Sequence, residues 1–142
     1  MYSEAGSRYP ETALILATLK QFVSQSASRG SAKAAAVMTR EGRMLGAALD
    51  KDTNEDIFAA MNASLLMLAQ KATDEMCIGE FRQMVVLGDA GVMHLTELGD
   101  GIVLAVATGA SSNLGRVMLD TRQISVRLRR CLDSPGSVQH AS

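Results

Sequence analysis

Apolar residues recur along this chain in two rhythms, one near 3.6 residues and one near two, and the changes of rhythm mark its elements. Ile15, Leu16, Leu19, Phe22 and Val23 share one face at about 100° per residue, while Thr18, Gln21, Ser24 and Gln25 point away. This predicts an amphipathic helix that opens at Pro10 and Glu11 and stops in residues 26–31, with Gly30 as terminator. Residues 34–39 read as a strand, Glu41 and Gly42 as a turn, and residues 44–49 as the returning strand of a hairpin. Acidic and capping side chains crowd residues 50–56, ahead of an apolar stretch over 57–72 without proline or glycine, which is the second helix. Residues 81–87, 92–98 and 102–108 alternate with the turn-type sequences 88–91 and 99–101, as three antiparallel strands do. The run 102–107 is apolar without alternation, so it belongs in the middle of the sheet. Residues 111–113 cap a last helix with the stripe Leu114, Val117, Met118, Ile124 and Leu128, which ends at Pro135 and Gly136. The order is αββαβββα: a single α/β (α+β) domain over residues 11–132, between a flexible lead (1–10) and a flexible tail (133–142).

The second helix carries more apolar surface than one docking face requires. Ile57, Phe58, Met61, Leu65, Leu68, Ala69 and Ala72 form an arc of about 120°, wide enough to lie on a sheet. Ala59, Ala60, Ala63, Leu66 and Met67 occupy much of the remaining circumference, interrupted by Asn62, Ser64, Gln70 and Lys71. A helix apolar on two sides is covered on two sides. Either a partner or another part of this chain supplies the second cover. An open strand edge would support the first alternative, because unpaired edges invite pairing with another chain.

Composition narrows the functional classes. Of 142 residues 47% are hydrophobic and 20% charged, and the net charge is −1. There is no overall positive field to draw nucleic acid or an anionic membrane surface. The longest apolar runs fall far short of the roughly 20 residues of a membrane span. The polar first ten residues lack the apolar centre of a secretory signal, so a cytoplasmic chain is expected. Cys77 and Cys131 have neither disulfide-framework nor zinc-site spacing and read as plain side chains. The nine methionines suit either core filling or an adaptable contact surface.

Constellations that carry chemistry are missing. No glycine-rich loop leads into a lysine and a hydroxyl residue, and Gly99-Asp100-Gly101 precedes a strand where a dinucleotide fingerprint would open a helix. His94 sits at an alternating strand position and His140 in the tail, and both read as incidental. The acidic run Asp50, Asp52, Glu55 and Asp56 lacks calcium-loop spacing and suits a helix start. No catalytic, cofactor-binding or metal-ligating residue is therefore assigned, and no cofactor or enzymatic activity is expected. Arg116, Arg122, Arg127, Arg129 and Arg130 on the last helix form either a solvated face or a basic patch for an acidic partner.

In order and spacing the elements resemble the roadblock/dynein light chain family, more closely its prokaryotic branch of regulators of Ras-like GTPases. The resemblance runs through AAAVMTREGRMLGAAL (34–49), FAAMNASLLMLAQ (58–70), FRQMVVLGDAGVMHLTEL (81–98), GIVLAVAT (101–108) and NLGRVMLD (113–120), with Gln83, Val85, Gly88 and Gly91 matching a third-strand pattern. It implies a sheet of order 2-1-5-4-3, with the second helix on one face and the first and last on the other. It implies homodimers, or heterodimers with a related domain, joined by third strands edge to edge and second helices side by side. Ala59, Ala63, Leu66 and Met67, beside Met84, Val85 and Val86, are the expected dimer interface. The implied role is that of a non-catalytic regulator or scaffold of a small Ras-like GTPase, which binds its GTP-bound switch regions and in some members activates hydrolysis. The alternatives are a light-chain-like structural adaptor in a larger assembly and a small-ligand sensory domain. The arginine-rich last helix and the tail have no counterpart in this resemblance.

Overall fold

The computed structural model describes residues 10–27, 32–109 and 113–133. Helix α1 spans Pro10–Ala27, strand β1 Ala32–Thr39, β2 Met44–Ala48, helix α2 Glu55–Glu75, β3 Gln83–Gly88, β4 Gly91–Gly99, β5 Ile102–Thr108 and helix α3 Leu114–Leu132. All eight expected elements form. The sheet is antiparallel throughout, in the order β2-β1-β5-β4-β3, with α2 on one face and α1 and α3 on the other.

Strand β5 is central because its apolar run serves both faces. Leu104 and Val106 join Ala35 and Val37 of β1 beneath α1 and α3, where Ile15, Leu19, Phe22, Ile124 and Leu128 close the core. Val103 and Ala105 join Ala36 and Met38 of β1 and Leu95 of β4 under Phe58 and Leu66 of α2. Alternating residues thus feed two cores through one strand, as the period of two requires.

Local signals set the element ends. The Asn54 side chain accepts from the amide of Ile57 at 2.9 Å, and Asn113 accepts from that of Arg116 at 3.0 Å, so each caps its helix. Glu55 and Asp56 occupy the first turn of α2; partial burial, with Asp56 alongside, raises the Glu55 carboxyl above its ordinary value. Gly42 takes φ +96° in the β1–β2 turn, and a Cβ there would sit 3.0 Å from that of Ala63 on α2. The expected stops at Gly30 and at Pro135–Gly136, and the capping residues Ser111 and Ser112, lie outside the described residues.

Two expectations about facing need correction. Thr18 points inward: its hydroxyl donates to the Leu14 carbonyl at 2.8 Å and lies 4.0 Å from the Cys131 thiol, so its polarity is satisfied within the core. On α2 the docking arc is rotated. Phe58, Asn62, Leu66 and Ala69 meet the sheet, whereas Ile57, Met61 and Leu68, expected there, face outward.

Gly91 opens β4 against β5 so closely that a Cβ would run into the Thr108 backbone carbonyl. Val92 and Thr108 seal the same spot, the Thr108 hydroxyl donating to the Val92 carbonyl at 3.2 Å. Gly91→Ala must displace backbone, and is expected to lower stability in urea melts by about 1–3 kcal/mol. An unchanged midpoint would contradict that contact.

Candidate interaction surface

Helix α2 is seated by a narrow stripe. Phe58, Asn62, Leu66 and Ala69 recur at four, four and three residues, which places them on one side of the helix. Asn62 is fully buried in the middle of this stripe; its amide donates to the Phe58 carbonyl at 2.9 Å. That bond within the helix lets a polar side chain serve where apolar ones were expected. The far end of α2 is fixed by polar contacts. Arg40, past the end of β1, donates twice to Glu97 of β4, at 2.7 and 3.1 Å, and once at 3.5 Å to the Gln70 side-chain oxygen. Gln70 also accepts from the Phe81 amide at 3.3 Å, and Glu97 from the Gly101 amide at 3.2 Å. One partly buried ion pair thereby ties α2, both hairpins and the approach to β3 together. No single motif signalled it, because its members are distant in sequence.

The opposite side of α2 is open. Ile57, Met61 and Leu68 are 67%, 41% and 62% exposed, and with Ser64 they repeat at four, three and four residues. The direction of this second stripe follows from the contact at Gly42. Ala59 and Ala63 lean on the β1–β2 turn, at one border of the sheet, and Ile57, Met61 and Leu68 lie nearly opposite them around the helix. They therefore turn toward β3, at the other border. Among the described residues β3 pairs with β4 alone, so its outer backbone edge is unpaired. Met84 and Val86, opposite Leu95 and Met93, project to the α2 side of the sheet, and Leu87 is exposed.

The seven residues expected at an interface divide accordingly. Leu66 is 2% exposed and belongs to the protomer's own core. Ala59 and Ala63 are half-buried against the hairpin. Met67 is 67% exposed but crowns the helix, off the stripe that turns to β3. Met84 and Val86 border the open edge on the α2 side, whereas Val85, opposite His94, projects to the other face. The surface that the structure brings together is Ile57, Met61 and Leu68 with the edge of β3.

His94 is buried on the α3 side of β4, with Nε2 2.9 Å from the Gln83 side-chain oxygen and Nδ1 without a partner among the described residues. Burial without a carboxylate pushes its pKa below the ordinary value. Among the described residues no group of three or more His, Cys, Asp or Glu could hold a metal ion, and no helix is long and apolar enough to cross a membrane.

The fold accords with what comparison shows. The Roadblock/LC7 domain family matches residues 18–108, and the chain belongs to that family. Myxococcus xanthus MglB superposes with a TM-score of 0.77 at 18% identity, covering 87% of this chain and 90% of that one. A Roadblock/LC7 domain from Streptomyces avermitilis gives 0.69 at 24% identity, covering 80% and 97%. A profilin from Schizosaccharomyces pombe gives 0.55 at 14% identity, covering 78% and 95%, so the same layered sheet extends beyond the family. By sequence, an uncharacterized protein of Methanocaldococcus jannaschii is 23% identical over 97 residues, 68% of this chain and 84% of that protein.

The burial of His94 makes stability depend on pH with a definite sign. Its folded pKa is depressed, so below about pH 6.5 the unfolded chain takes up a proton that the folded chain refuses. Stability should fall with acidification from that point, by up to about 1.4 kcal/mol per pH unit from this group. His94→Gln should flatten the slope between about pH 6.5 and 5 relative to the wild type in parallel urea melts. Identical slopes would show that His94 carries no depressed pKa.

Proposed function

We propose that two copies of this chain, or this chain and a related domain, join through β3 and α2, and that the dimer is a non-catalytic regulator or scaffold of a small Ras-like GTPase. The observation that carries the proposal is the apolar stripe Ile57–Met61–Leu68 turned toward an unpaired strand edge. A two-fold axis beside β3 would pair the two edges antiparallel and bring the two stripes into contact over the join. Each of the three side chains is about half exposed, so six of them bury roughly 1 kcal/mol apiece. Association costs at least about 4 kcal/mol, so neither the stripe nor the strand pairing has much to spare alone. Among solved relatives of like fold one is described as MglB with a tetrameric arrangement, at a TM-score of 0.71 and 19% identity. The GTPase as partner rests on the family resemblance of the hairpin, second helix and third strand, and the reading is of a protein that positions the GTPase's own catalytic groups or holds it in place.

Light scattering on the wild type should give a dimer, and Met61→Glu or Leu68→Glu should give a folded monomer. Leu66→Ala should behave differently, lowering stability by about 2–5 kcal/mol because it empties the protomer's core. A dimer indifferent to both glutamates would place the interface elsewhere. Single-turnover GTP hydrolysis by a co-occurring small GTPase, with and without the dimer, tests the regulatory role. Acceleration marks an activator; GTP-dependent binding without acceleration marks a scaffold; no binding in either nucleotide state overturns the GTPase assignment.

A further inference from the structure

The five arginines of α3 are not equivalent. Arg116 pairs with Asp120 at 3.2 Å, and Arg127 donates to the Gln21 side chain at 2.8 Å. Arg129 donates to the carbonyls of Leu98 and Glu97 at 3.2 and 3.3 Å, which fixes its guanidinium without neutralising it. Arg122 and Arg130 have no hydrogen bond or ion pair among the described residues. Arg122 and Arg129, two turns apart, line the same open groove of about 750 Å³ between α3 and the β3–β4 hairpin, on the face of the sheet opposite α2.

The chemistry of this groove has one sign. No carboxylate is among its lining residues. Its sheet side presents Gln83, Thr96 and His94, and its helix side Thr121. His94 and Thr121 are almost wholly buried, and His94 Nδ1 and Thr121 Oγ1 have no partner among the described residues. With Nε2 donating to the Gln83 oxygen, Nδ1 is an acceptor, so the draw for an anion comes from the two uncompensated guanidiniums, with the unpartnered Thr121 hydroxyl as a further donor. The rim narrows the kind of anion. Leu119 and Val126 line the groove with large exposed apolar side chains, which a compact oxyanion would leave in water. A polypeptide would cover them.

We propose that this groove docks an extended acidic segment of a partner protein, with two carboxylates four residues apart and an apolar side chain midway between them, all three on one face of the segment. The spacing is dictated by α3. Seven residues of helix separate Arg122 from Arg129 by about 10 Å along the axis, and four residues of extended chain span about 13 Å with both ends on one face, a difference the long arginine side chains take up. One carboxylate meets each arginine, and the apolar side chain lies against Val126, between them. The groove is remote from the α2 stripe, so this docking stands whether or not the chain dimerises as proposed above.

The test uses the full chain and a fluorescein-labelled peptide containing Glu-Ala-Leu-Ala-Glu, with the Gln-Ala-Leu-Ala-Gln peptide and citrate as controls. Fluorescence anisotropy should saturate with the glutamate peptide and weaken as salt is raised. Replacing both glutamates by glutamine, or Arg122→Glu, should each weaken binding about tenfold. Val126→Glu, on the exposed rim, should do the same without touching an arginine. The His94 imidazole resonances should move as the peptide binds. Failure of the glutamate peptide to saturate, or equal binding by the glutamine peptide or by Arg122→Glu, would overturn the proposal. So would citrate moving the His94 resonances where the peptide does not, which would make this a small-anion site.

Discussion

Width is the constraint on which the rest of this structure depends. Five strands about 4.8 Å apart make a sheet about 20 Å across, and one helix is only 10–12 Å wide with its side chains. The face under α1 and α3 has two helices to cover it. The other has α2 alone, seated over β1, β5 and β4 by Phe58, Leu66 and Ala69 around the buried Asn62, whose side-chain amide donates within the helix. A helix so placed leaves the border at β3 partly bare, and the stripe Ile57–Met61–Leu68 overhangs that border. The Arg40–Glu97–Gln70 contacts hold it there. An uncovered strand edge and an uncovered helix flank thus lie side by side for one geometric reason, and the proposed second copy related by two-fold symmetry would supply both missing covers.

Much of this fold was legible in the sequence because its signals are local. The double-sided run of β5, the turns around Gly42 and Asp100, and the capping residues Asn54 and Asn113 each act within a few residues, and each marks its element. The rotation of α2 was not legible. When a helix is apolar on nearly every side, periodicity shows that two faces are apolar without saying which of them meets the sheet. The decision falls to side-chain shape and to a polar residue whose hydrogen bond is hidden from the sequence: Asn62 bonds within its own helix and goes inward, and Thr18 does the same on α1. Helix α2 does expose surplus apolar surface, in Ile57, Met61 and Leu68 and, as expected, in Met67, while Leu66 serves the core.

The α3 face illustrates a different limit. In sequence, five arginines on one helix are a uniform basic patch, and His94 is one polar position among alternating ones. Folding sorts them. Intramolecular partners satisfy Arg116 and Arg127, backbone carbonyls anchor Arg129, and the register of β3 against β4 puts Gln83 and His94 within reach of each other and of α3. Charge that is uncompensated after this sorting is what gives the groove its sign. The two faces of the sheet then offer different chemistry, apolar and edge-directed on one side, cationic and polar on the other.

Amide hydrogen exchange along β3, measured over a range of protein concentrations, addresses the central claim most directly. The β3 amides that do not bond to β4 point along the open edge, and pairing with a second copy would bury them in a continuous sheet. Their protection should rise with concentration and vanish in Leu68→Glu, while amides of β5 stay protected throughout. Edge amides that exchange as fast as unstructured chain at every concentration would contradict the pairing of this edge.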